Sequence, residues 1–270
     1  MSTEPYVNTV VQMACSIALT ELDAESIDLV VPSPPYDDRR NYGGYSFPFE
    51  TIADQLVRVI KQGGVIVWVV ADATIQGSET GTSFRQALHF QSLGLSLHDT
   101  MIFRKRNPIP QIYRQRYTNE FEYMFVFTKG RIRTHNPLMI DCLHAGLELG
   151  STTYKNYSKN EQSRKKLAKP VKAKKIKGNI WEYVVGKSKI DQEAKGHPAP
   201  FPYELAKDHI ISWSNENDLI LDPMCGSGTT CKAAAQLGRR FIGMELNADY
   251  VELAKRRVKD AQEMSLRLAL

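Results

Sequence analysis

The sequence has no long apolar segment and no pattern of a secretory leader. No apolar run approaches the length of a membrane-spanning helix, and the first eight residues lack the basic-then-apolar order of a signal peptide. We therefore expect a soluble, cytoplasmic protein with no membrane partner.

The cysteines and glycines exclude several kinds of site. The four cysteines form no CxxC pair and lie near no histidine at zinc-ligand spacing, so neither a bound metal nor a disulfide framework is predicted. The chain also lacks the GxGxxG pattern of nicotinamide dinucleotide enzymes and the lysine of a phosphate-binding P-loop. These absences argue against zinc-dependent, nicotinamide-dependent and nucleoside-triphosphate-hydrolysing functions.

Length and charge describe a globular chain with a concentrated basic region. A chain of 270 residues with 42% hydrophobic content can bury the core of one α/β domain that carries an insertion. The net charge is only +5, but residues 155–177 hold ten lysines and arginines and a single acid, Glu161. Such a run favours a polyanionic partner, and a solvated charged loop is the alternative.

Short apolar strands alternate with segments of helical periodicity along most of the chain. This order predicts a doubly wound, mostly parallel, Rossmann-like sheet. The pattern fades between residues 131 and 189, where we expect an insertion or a mobile segment that faces DNA. The predicted strands are 26–31, 65–70, 100–104, 122–127, 219–222 and 241–246, and the predicted helices are 51–60, 83–93, 203–212, 229–237 and one that begins at Ala248.

A glycine-containing turn follows the predicted strand that ends at Asp222. It reads DPMCGSGTT over Asp222–Thr230 and leads into a helix, an arrangement that lets a ligand approach the backbone. Glu245 stands at the end of the next strand, 23 positions after Asp222, where an acid can reach a ribose diol. The pair indicates a nucleoside-containing cofactor; the alternatives are an ordinary strand-to-helix turn and a helix-capping acid.

A stiff proline-rich loop follows the predicted strand that ends at Val31. It reads SPPY over residues 33–36, and its two prolines can hold backbone carbonyls and an aromatic ring in fixed positions. An exocyclic amine needs such acceptors, because its lone pair is delocalised into the ring of the base and must be localised before it can attack. A structural elbow or a polyproline-type ligand would give the same composition.

Together, the two loops resemble those of the amino-methylating DNA methyltransferases. That family has a catalytic Asp/Asn/Ser-Pro-Pro-Tyr/Phe tetrapeptide and a cofactor loop that commonly reads DPFxGSGTT. Here the SPPY loop comes about 190 residues before the DPMCGSGTT loop, which is the order of the family's β class. RYTNEFEYMFVFTKG at 116–130 and HPAPFPYEL at 197–205 are also similar to family segments, so the resemblance covers nearly the whole chain outside 131–178.

The resemblance implies a methyl transfer from S-adenosylmethionine to the exocyclic amino group of a flipped-out base in DNA, by direct in-line displacement. In the catalytic loop, Ser33 and the Pro34 carbonyl would accept hydrogen bonds from the amine, Pro35 would stiffen the loop and Tyr36 would stack on the base. Glu245 would hold the ribose hydroxyls of the cofactor. The other implied cofactor-binding residues are Asp222, Pro223, Met224, Cys225, Gly226, Gly228, Thr229, Leu246, His197 and Pro198.

The chain departs from the family pattern in two places. Met224-Cys225 occupies the stretch where Phe is usual, and Met13-Ala14-Cys15 stands where the family often has Gly-Asp before a small residue. The missing acid removes one expected contact to the adenine of the cofactor. Serine at position 33 is commoner among cytosine-N4 enzymes, so cytosine N4 is the favoured target and adenine N6 is the alternative.

DNA contacts are expected from basic residues outside the two loops. Lysines of the 155–177 run would meet phosphates, and side chains of the RKRNPIPQIYRQR stretch would reach base edges. The predicted DNA-binding residues are Arg104, Lys105, Arg106, Arg114, Lys165, Lys166, Lys174 and Lys175, with Asn107, Gln111 and Gln115 as further candidate base readers.

These assignments divide the chain into three parts. Residues 1–130 form the catalytic half of the methyltransferase domain, 131–189 a basic insertion that is the candidate target-recognition region, and 190–270 the cofactor-binding half. The resemblance adds a second copy of the chain and a cognate restriction nuclease as candidate partners. RNA or protein substrates, and a degenerate DNA-binding or cofactor-sensing protein, stay open as alternative functions.

Overall fold

The computed structural model describes residues 2–35, 47–110, 115–146, 171–185 and 202–269, with side chains through residue 264. A short 3-10 helix at Glu4–Tyr6 precedes the first strand. The strands are β1 (Thr9–Gln12), β2 (Ile27–Val30), β3 (Ile60–Val70), β4 (Thr74–Ile75), β5 (Ser78–Glu79), β6 (Ser96–Lys105), β7 (Phe121–Thr128), β8 (Met139–Asp141), β9 (Lys174–Ile176), β10 (Ile180–Tyr183), β11 (Leu219–Asp222) and β12 (Arg240–Glu245). The helices are α1 (Cys15–Glu21), α2 (Phe49–Val59), α3 (Thr82–Ser92), α4 (Tyr203–Trp213), α5 (Thr229–Gln236) and α6 (Ala248–Ala269).

An eight-stranded sheet runs through the main unit, residues 1–136 and 179–270, in the order β1-β12-β11-β2-β3-β7-β6-β10. All neighbouring strands are parallel except β7, which is antiparallel to both β3 and β6. The mostly parallel α/β sheet that the sequence predicted is confirmed. Because β6 and β3 both oppose β7, they run in the same direction, and seven strands end at one edge of the sheet, which we call the carboxyl edge.

Helices cover both faces of this sheet. Phe125 and Phe127 of β7 belong to the large hydrophobic core that includes residues of α1, α2 and α3. Met124, on the opposite face of the same strand, contacts the buried His209 of α4 through its sulfur, at 3.2 Å. The alternation of side chains along β7 therefore separates two helical layers, as expected for a strand that is buried on both sides.

The structure adds elements that the sequence pattern did not predict. β1 and α1 open the chain, β10 pairs with the outer edge of β6, and β3 begins at Ile60, five residues before the predicted strand. β1 and β10 contain four residues each, so their hydrophobic period was too short to detect. β10 lies inside the stretch 131–189 where we expected an insertion, but it belongs to the main sheet.

Residues 137–178 form a separate small unit. In its described part, β8 pairs with β9 in an antiparallel ribbon, with Met139 opposite Ile176 and Asp141 opposite Lys174. Every residue of the two strands is exposed. Across the described parts of the chain, no helix is long and apolar enough to cross a membrane.

Candidate active site

The two loops that the sequence singled out lie side by side at the carboxyl edge. β2 and β11 are adjacent parallel strands with Val30 opposite Leu221, so their carboxyl ends lead into neighbouring loops. The Val31 N–H donates to the Leu221 carbonyl at 3.1 Å, and the Thr230 hydroxyl donates to the Val31 carbonyl at 3.1 Å. Residues about 190 positions apart in the sequence thus form one site, and Thr230 connects its two halves.

The catalytic-loop candidates are held against the sheet at their first residues. The Val69 N–H of β3 donates to the Pro32 carbonyl at 3.3 Å, which anchors the chain immediately before the SPPY tetrapeptide. Ser33 and Pro35 are half-buried and Pro34 is buried. Tyr36 lies outside the described residues, so its stacking role stays a prediction.

The turn after β11 adopts backbone conformations that favour glycine. Gly226 and Gly228 both have left-handed conformations, with φ of 51° and 78°. Gly228 is the N-cap of α5, and a Cβ built on it would lie 2.6 Å from the Cβ of Ala254 in α6. Glycine is needed here for two separate reasons, the positive φ and the close approach of α6.

Glu245 joins this turn to the end of β12. Its Oε2 accepts from the Gly226 N–H at 2.9 Å, and its Oε1 accepts from the N–H groups of Leu246 and Asn247, both at 2.8 Å. Since an ionised carboxylate offers about four acceptor positions, three backbone donors fix its orientation and leave one position for a ligand hydroxyl. The helix-capping role belongs instead to Asn247, whose Oδ1 accepts from the Asp249 and Tyr250 N–H groups of α6.

Asp222 is a buried carboxyl at the centre of the site. Burial raises the pKa of Asp222 to about 7, against the opposing effects of the Thr230 hydroxyl and the Met224 N–H; the nearby Glu245 charge raises it further. The Met224 N–H donates to the Asp222 carboxyl at 3.2 Å. A group with this pKa changes its charge near neutral pH, and a cation bound beside it would favour the ionised form.

The cysteines of the turn pack beneath it. Cys225 and Cys231 are buried free thiols, and a hydrogen bond between them, together with burial, raises the pKa of Cys225 well above its ordinary value. A Cβ on Gly243 of β12 would lie 2.7 Å from the Cys231 sulfur and 3.1 Å from the Cys225 sulfur. A protonated, tightly packed thiol is a poor nucleophile, so the geometry gives these two residues a packing role.

The segment that departs from the family pattern also lies at this site. The Met13 N–H donates to the Glu245 carbonyl at 3.0 Å. Burial raises the pKa of Cys15 to about 11, and the charges of Glu245 and Asp222 add to the effect. Half-buried Met13, Ala14 and Cys15 therefore stand where the family often has an acid.

The predicted DNA-binding residues fall into two described groups. Arg104 and Lys105 end β6 at the carboxyl edge, and Arg106 follows them; Arg104 and Arg106 are exposed and Lys105 is half-buried. Lys174 and Lys175 are exposed on β9 of the small unit. The predicted site residues that lie outside the described part of the chain are Tyr36, Gln111, Arg114, Lys165, Lys166, His197 and Pro198.

The base-reading candidates at the end of β6 already have partners within the protein. Arg104 pairs with Glu182 and Glu120, and the Asn107 side chain donates to the Val185 carbonyl at 2.8 Å and accepts from the Val185 N–H at 2.7 Å. The Asn107 amide thus extends the pairing of β6 with β10 beyond its last residue.

Two residues of the site were not predicted from the sequence. Thr230 was part of the quoted motif, but no role was assigned to it. Arg257 of α6 is 1% exposed and donates to the Ser227 carbonyl and towards the Thr229 hydroxyl, so it supports the turn from behind. A cation three positions after the buried Ala254 and four before the buried Ala261 was the available signal, because that spacing places it on the core face of the helix.

Comparisons with known proteins agree with this arrangement. The N6_N4_Mtase family, described as DNA methylase, matches residues 27–256. Orphan methyltransferase M.BamHII of Bacillus amyloliquefaciens is 48% identical over 239 residues, which cover 87% of this chain and 89% of that protein. DNA adenine methyltransferase YhdJ of Escherichia coli K12 is 27% identical over 258 residues, with 92% and 81% covered. The solved structure of PvuII DNA methyltransferase, described as cytosine-N4-specific, has the same fold, with a TM-score of 0.66 at 18% identity over 96% of this chain and 92% of that one.

Proposed function

The chain belongs to the N6/N4 DNA methylase family and is an S-adenosylmethionine-dependent DNA amino-methyltransferase, and we propose that its target is the N4 amine of a flipped-out cytosine. The observation that supports amino-methyl transfer at this site is the junction of the SPPY loop with the cofactor turn, which the Thr230–Val31 hydrogen bond holds together. Serine at position 33 supports cytosine N4, since this residue is commoner in cytosine-N4 enzymes of the family. Adenine N6 is the second candidate, because the family contains both activities.

The residues of the turn fit the cofactor. S-adenosylmethionine is a cation that carries a ribose diol, and it supplies the methyl group. The buried Asp222 carboxyl suits a cationic ligand, and Glu245 keeps one acceptor position for a ribose hydroxyl. Gly226 allows the left-handed turn whose N–H binds Glu245, and Gly228 allows α6 to approach the turn closely. Pro223, Met224, Cys225, Thr229 and Leu246 complete the described part of the proposed pocket, and His197 and Pro198 join it as predictions.

The catalytic loop acts on the amine. We assign the Ser33 hydroxyl and the Pro34 carbonyl as acceptors for its two N–H groups, which localises the lone pair on the nitrogen. With the cofactor bound, the nitrogen would form a bond to the methyl carbon as the carbon–sulfur bond breaks, and it would then release one proton to solvent water. Tyr36 would hold the base by stacking, and the rigidity of Pro34 and Pro35 would keep the acceptors in place without reorganisation.

DNA would lie across the carboxyl edge. We assign Arg104, Lys105 and Arg106 to this surface, because their strand ends at the same edge as β2. Arg114 stays a predicted base reader, and the lysines Lys165, Lys166, Lys174 and Lys175 stay predicted phosphate contacts. A second copy of the chain and a cognate nuclease stay predicted partners.

Asp222 is expected to make cofactor binding depend on pH. Affinity for S-adenosylmethionine should rise between about pH 6 and 8, as the Asp222 carboxyl, whose pKa is raised to about 7, becomes ionised. The Asp222→Asn variant should bind about 10- to 100-fold more weakly at pH 8, with a flattened pH profile, because it loses a charge-assisted contact. Isothermal titration calorimetry across this range measures both effects; an unchanged profile in the variant contradicts the assignment.

The same group gives a stability prediction of defined sign. The unfolded carboxyl ionises near its ordinary pKa of 3.8, whereas the pKa of the folded carboxyl is about 7. Its contribution to the free energy of unfolding of the cofactor-free protein is therefore fully present below pH 3.8 and is lost as the pH rises towards 7. Asp222→Asn should remove this decline, which denaturant titrations at several pH values would detect.

The test of the proposed function is incubation of the purified chain with isotopically labelled S-adenosylmethionine and unmethylated mixed-sequence DNA, followed by nucleoside mass spectrometry. The expected product is N4-methylcytosine. N6-methyladenine would replace the proposed base but keep the mechanism. Cofactor binding without any labelled DNA would overturn the substrate class and favour RNA, a protein amide or a cofactor-sensing role.

A further inference from the structure

The basic residues at the end of β6 form an ion-pair network with acids of two other strands and a loop. Arg104 lies 3.1 Å from Glu182 of β10 and 3.6 Å from Glu120, which precedes β7. Arg106 lies 3.6 Å from the other carboxylate oxygen of Glu182. One carboxylate therefore binds two guanidinium groups, one through each oxygen.

Lys105, on the other face of the strand, also has a carboxylate partner. Its ammonium group lies 2.9 Å from Glu122, and both side chains are mostly buried. The segment that reads as three consecutive cations in the sequence thus meets three carboxylates in the fold. The formal charges of this group cancel, and the patch has little of the generic attraction to phosphate that its sequence suggests.

This network lies close to the place where the target base would enter. β6 is separated from β2 by β3 and β7, and three strand spacings amount to about 14 Å. That distance corresponds to roughly four nucleotides along one DNA strand. Arg104 and Arg106 are thus placed to reach nucleotides that flank the methylated base.

We propose that Glu182 is a specificity-determining residue, because its carboxylate competes with DNA phosphate for Arg104 and Arg106 and weakens the binding of non-target sequences. The proposal rests on the proposed function, and it says how Glu182 would regulate the DNA-binding surface of that enzyme. Both arginines are more than half exposed, so a DNA oxygen can replace the carboxylate as their partner. Non-target DNA gains little from this exchange, since it replaces one anion by another and places the phosphate beside Glu182. A target sequence adds base contacts, which hold the arginines on the DNA.

The test compares two variants that make the same change of charge. Glu182→Gln keeps the shape of the side chain and removes the competitor. Glu263→Gln removes an exposed carboxylate that is paired more loosely, 4.0 Å from Lys259, and that lies four turns along α6 from the carboxyl edge. Fluorescence anisotropy with a short labelled duplex of mixed sequence, over a series of NaCl concentrations, measures non-specific affinity for both.

Glu182→Gln should bind the duplex about 3- to 15-fold more tightly at low salt. The slope of log affinity against log salt concentration should become steeper by about one unit, which is the equivalent of one added phosphate contact. Glu263→Gln should bind like the unsubstituted chain. Methylated sites mapped on plasmid DNA should spread to more sequence contexts in Glu182→Gln alone. A loss of folding cannot mimic a gain in affinity.

The proposal is overturned if Glu182→Gln binds no more tightly than Glu263→Gln, or if its set of methylated sites is unchanged. The double substitution Arg104→Gln with Arg106→Gln should weaken binding, and an unaffected affinity would also overturn it by removing the patch from the DNA surface. None of these results affects the labelled-nucleoside assay of the unsubstituted chain. Failure of the specificity role is therefore distinguishable from failure of the methyltransferase function.

Discussion

Replacement of Ser33 by alanine is expected to lower the rate of methyl transfer about 100- to 1,000-fold. An effect of this size is typical when one preorganised polar partner of a reacting group is removed. Ser33 follows the Pro32 carbonyl, which the Val69 N–H anchors, and it is only half-buried, so its hydroxyl can be held beside a base that enters from solvent. Single-turnover rates with saturating DNA and cofactor would measure the chemical step directly.

The control for this variant is Ser92→Ala. Ser92 is an exposed serine whose hydroxyl donates to the His89 carbonyl, and it ends α3, the helix that leads away from the carboxyl edge. We expect a normal rate for this control, and cofactor affinity within about twofold of the unsubstituted chain for both variants, because neither hydroxyl is assigned to the cofactor. A normal single-turnover rate for Ser33→Ala would remove the hydroxyl from the catalytic role.

The second large effect is expected at Gly228. In Gly228→Ala the new Cβ would stand 2.6 Å from the Cβ of Ala254, so the turn or α6 must shift. The left-handed backbone costs about 1–2 kcal/mol for alanine, and overpacking adds about 1–3 kcal/mol. Because the shift displaces the turn that Glu245 binds, cofactor affinity should also fall by roughly 10-fold or more, which corresponds to about 1.4 kcal/mol of strain carried into the bound state.

Gly81→Ala provides the matched control. Gly81 is likewise a helix N-cap with a left-handed backbone, φ of 66°, but the nearest atom to its added Cβ is a guanidinium nitrogen of Arg85, at an ordinary contact distance of 3.7 Å. Gly81→Ala should therefore lose only the stability that alanine loses in a left-handed backbone conformation, and its cofactor affinity should be normal. Denaturant titrations measure the loss of stability in each variant, and calorimetry measures the loss of cofactor affinity. Equal losses of stability in both variants would contradict the packing argument.

The predicted DNA-binding residues at the end of β6 show how far a local sequence pattern can mislead about electrostatics. Arg104, Lys105 and Arg106 read as a basic patch because their neighbours in the sequence contain no acid. Their partners Glu182 and Glu120 come from elsewhere in the chain, through strand pairing of β6 with β10 and β7. Coulomb interactions depend on distances in space, and no one-dimensional pattern contains the distance between β6 and β10.

The sequence by itself determined most of the sheet and singled out the candidate residues of the site. The spacing of hydrophobic residues along a strand or helix reflects which of its side chains are buried. The bounds of the longer elements were therefore predicted to within a few residues. The two loops were identifiable because proline, glycine and serine impose backbone conformations or donor groups that act over a few residues. Glu245 was found by its spacing from Asp222, which the length of one helix and one strand sets.

Only the tertiary structure decided which of these groups meet and what their surroundings do to them. It connected Thr230 to Val31 and placed Arg257 behind the turn. It also raised the pKa of Asp222 to about 7 by burial. Strand order, close packing and desolvation are properties of the whole folded chain, because each depends on residues that are distant in sequence and adjacent in space.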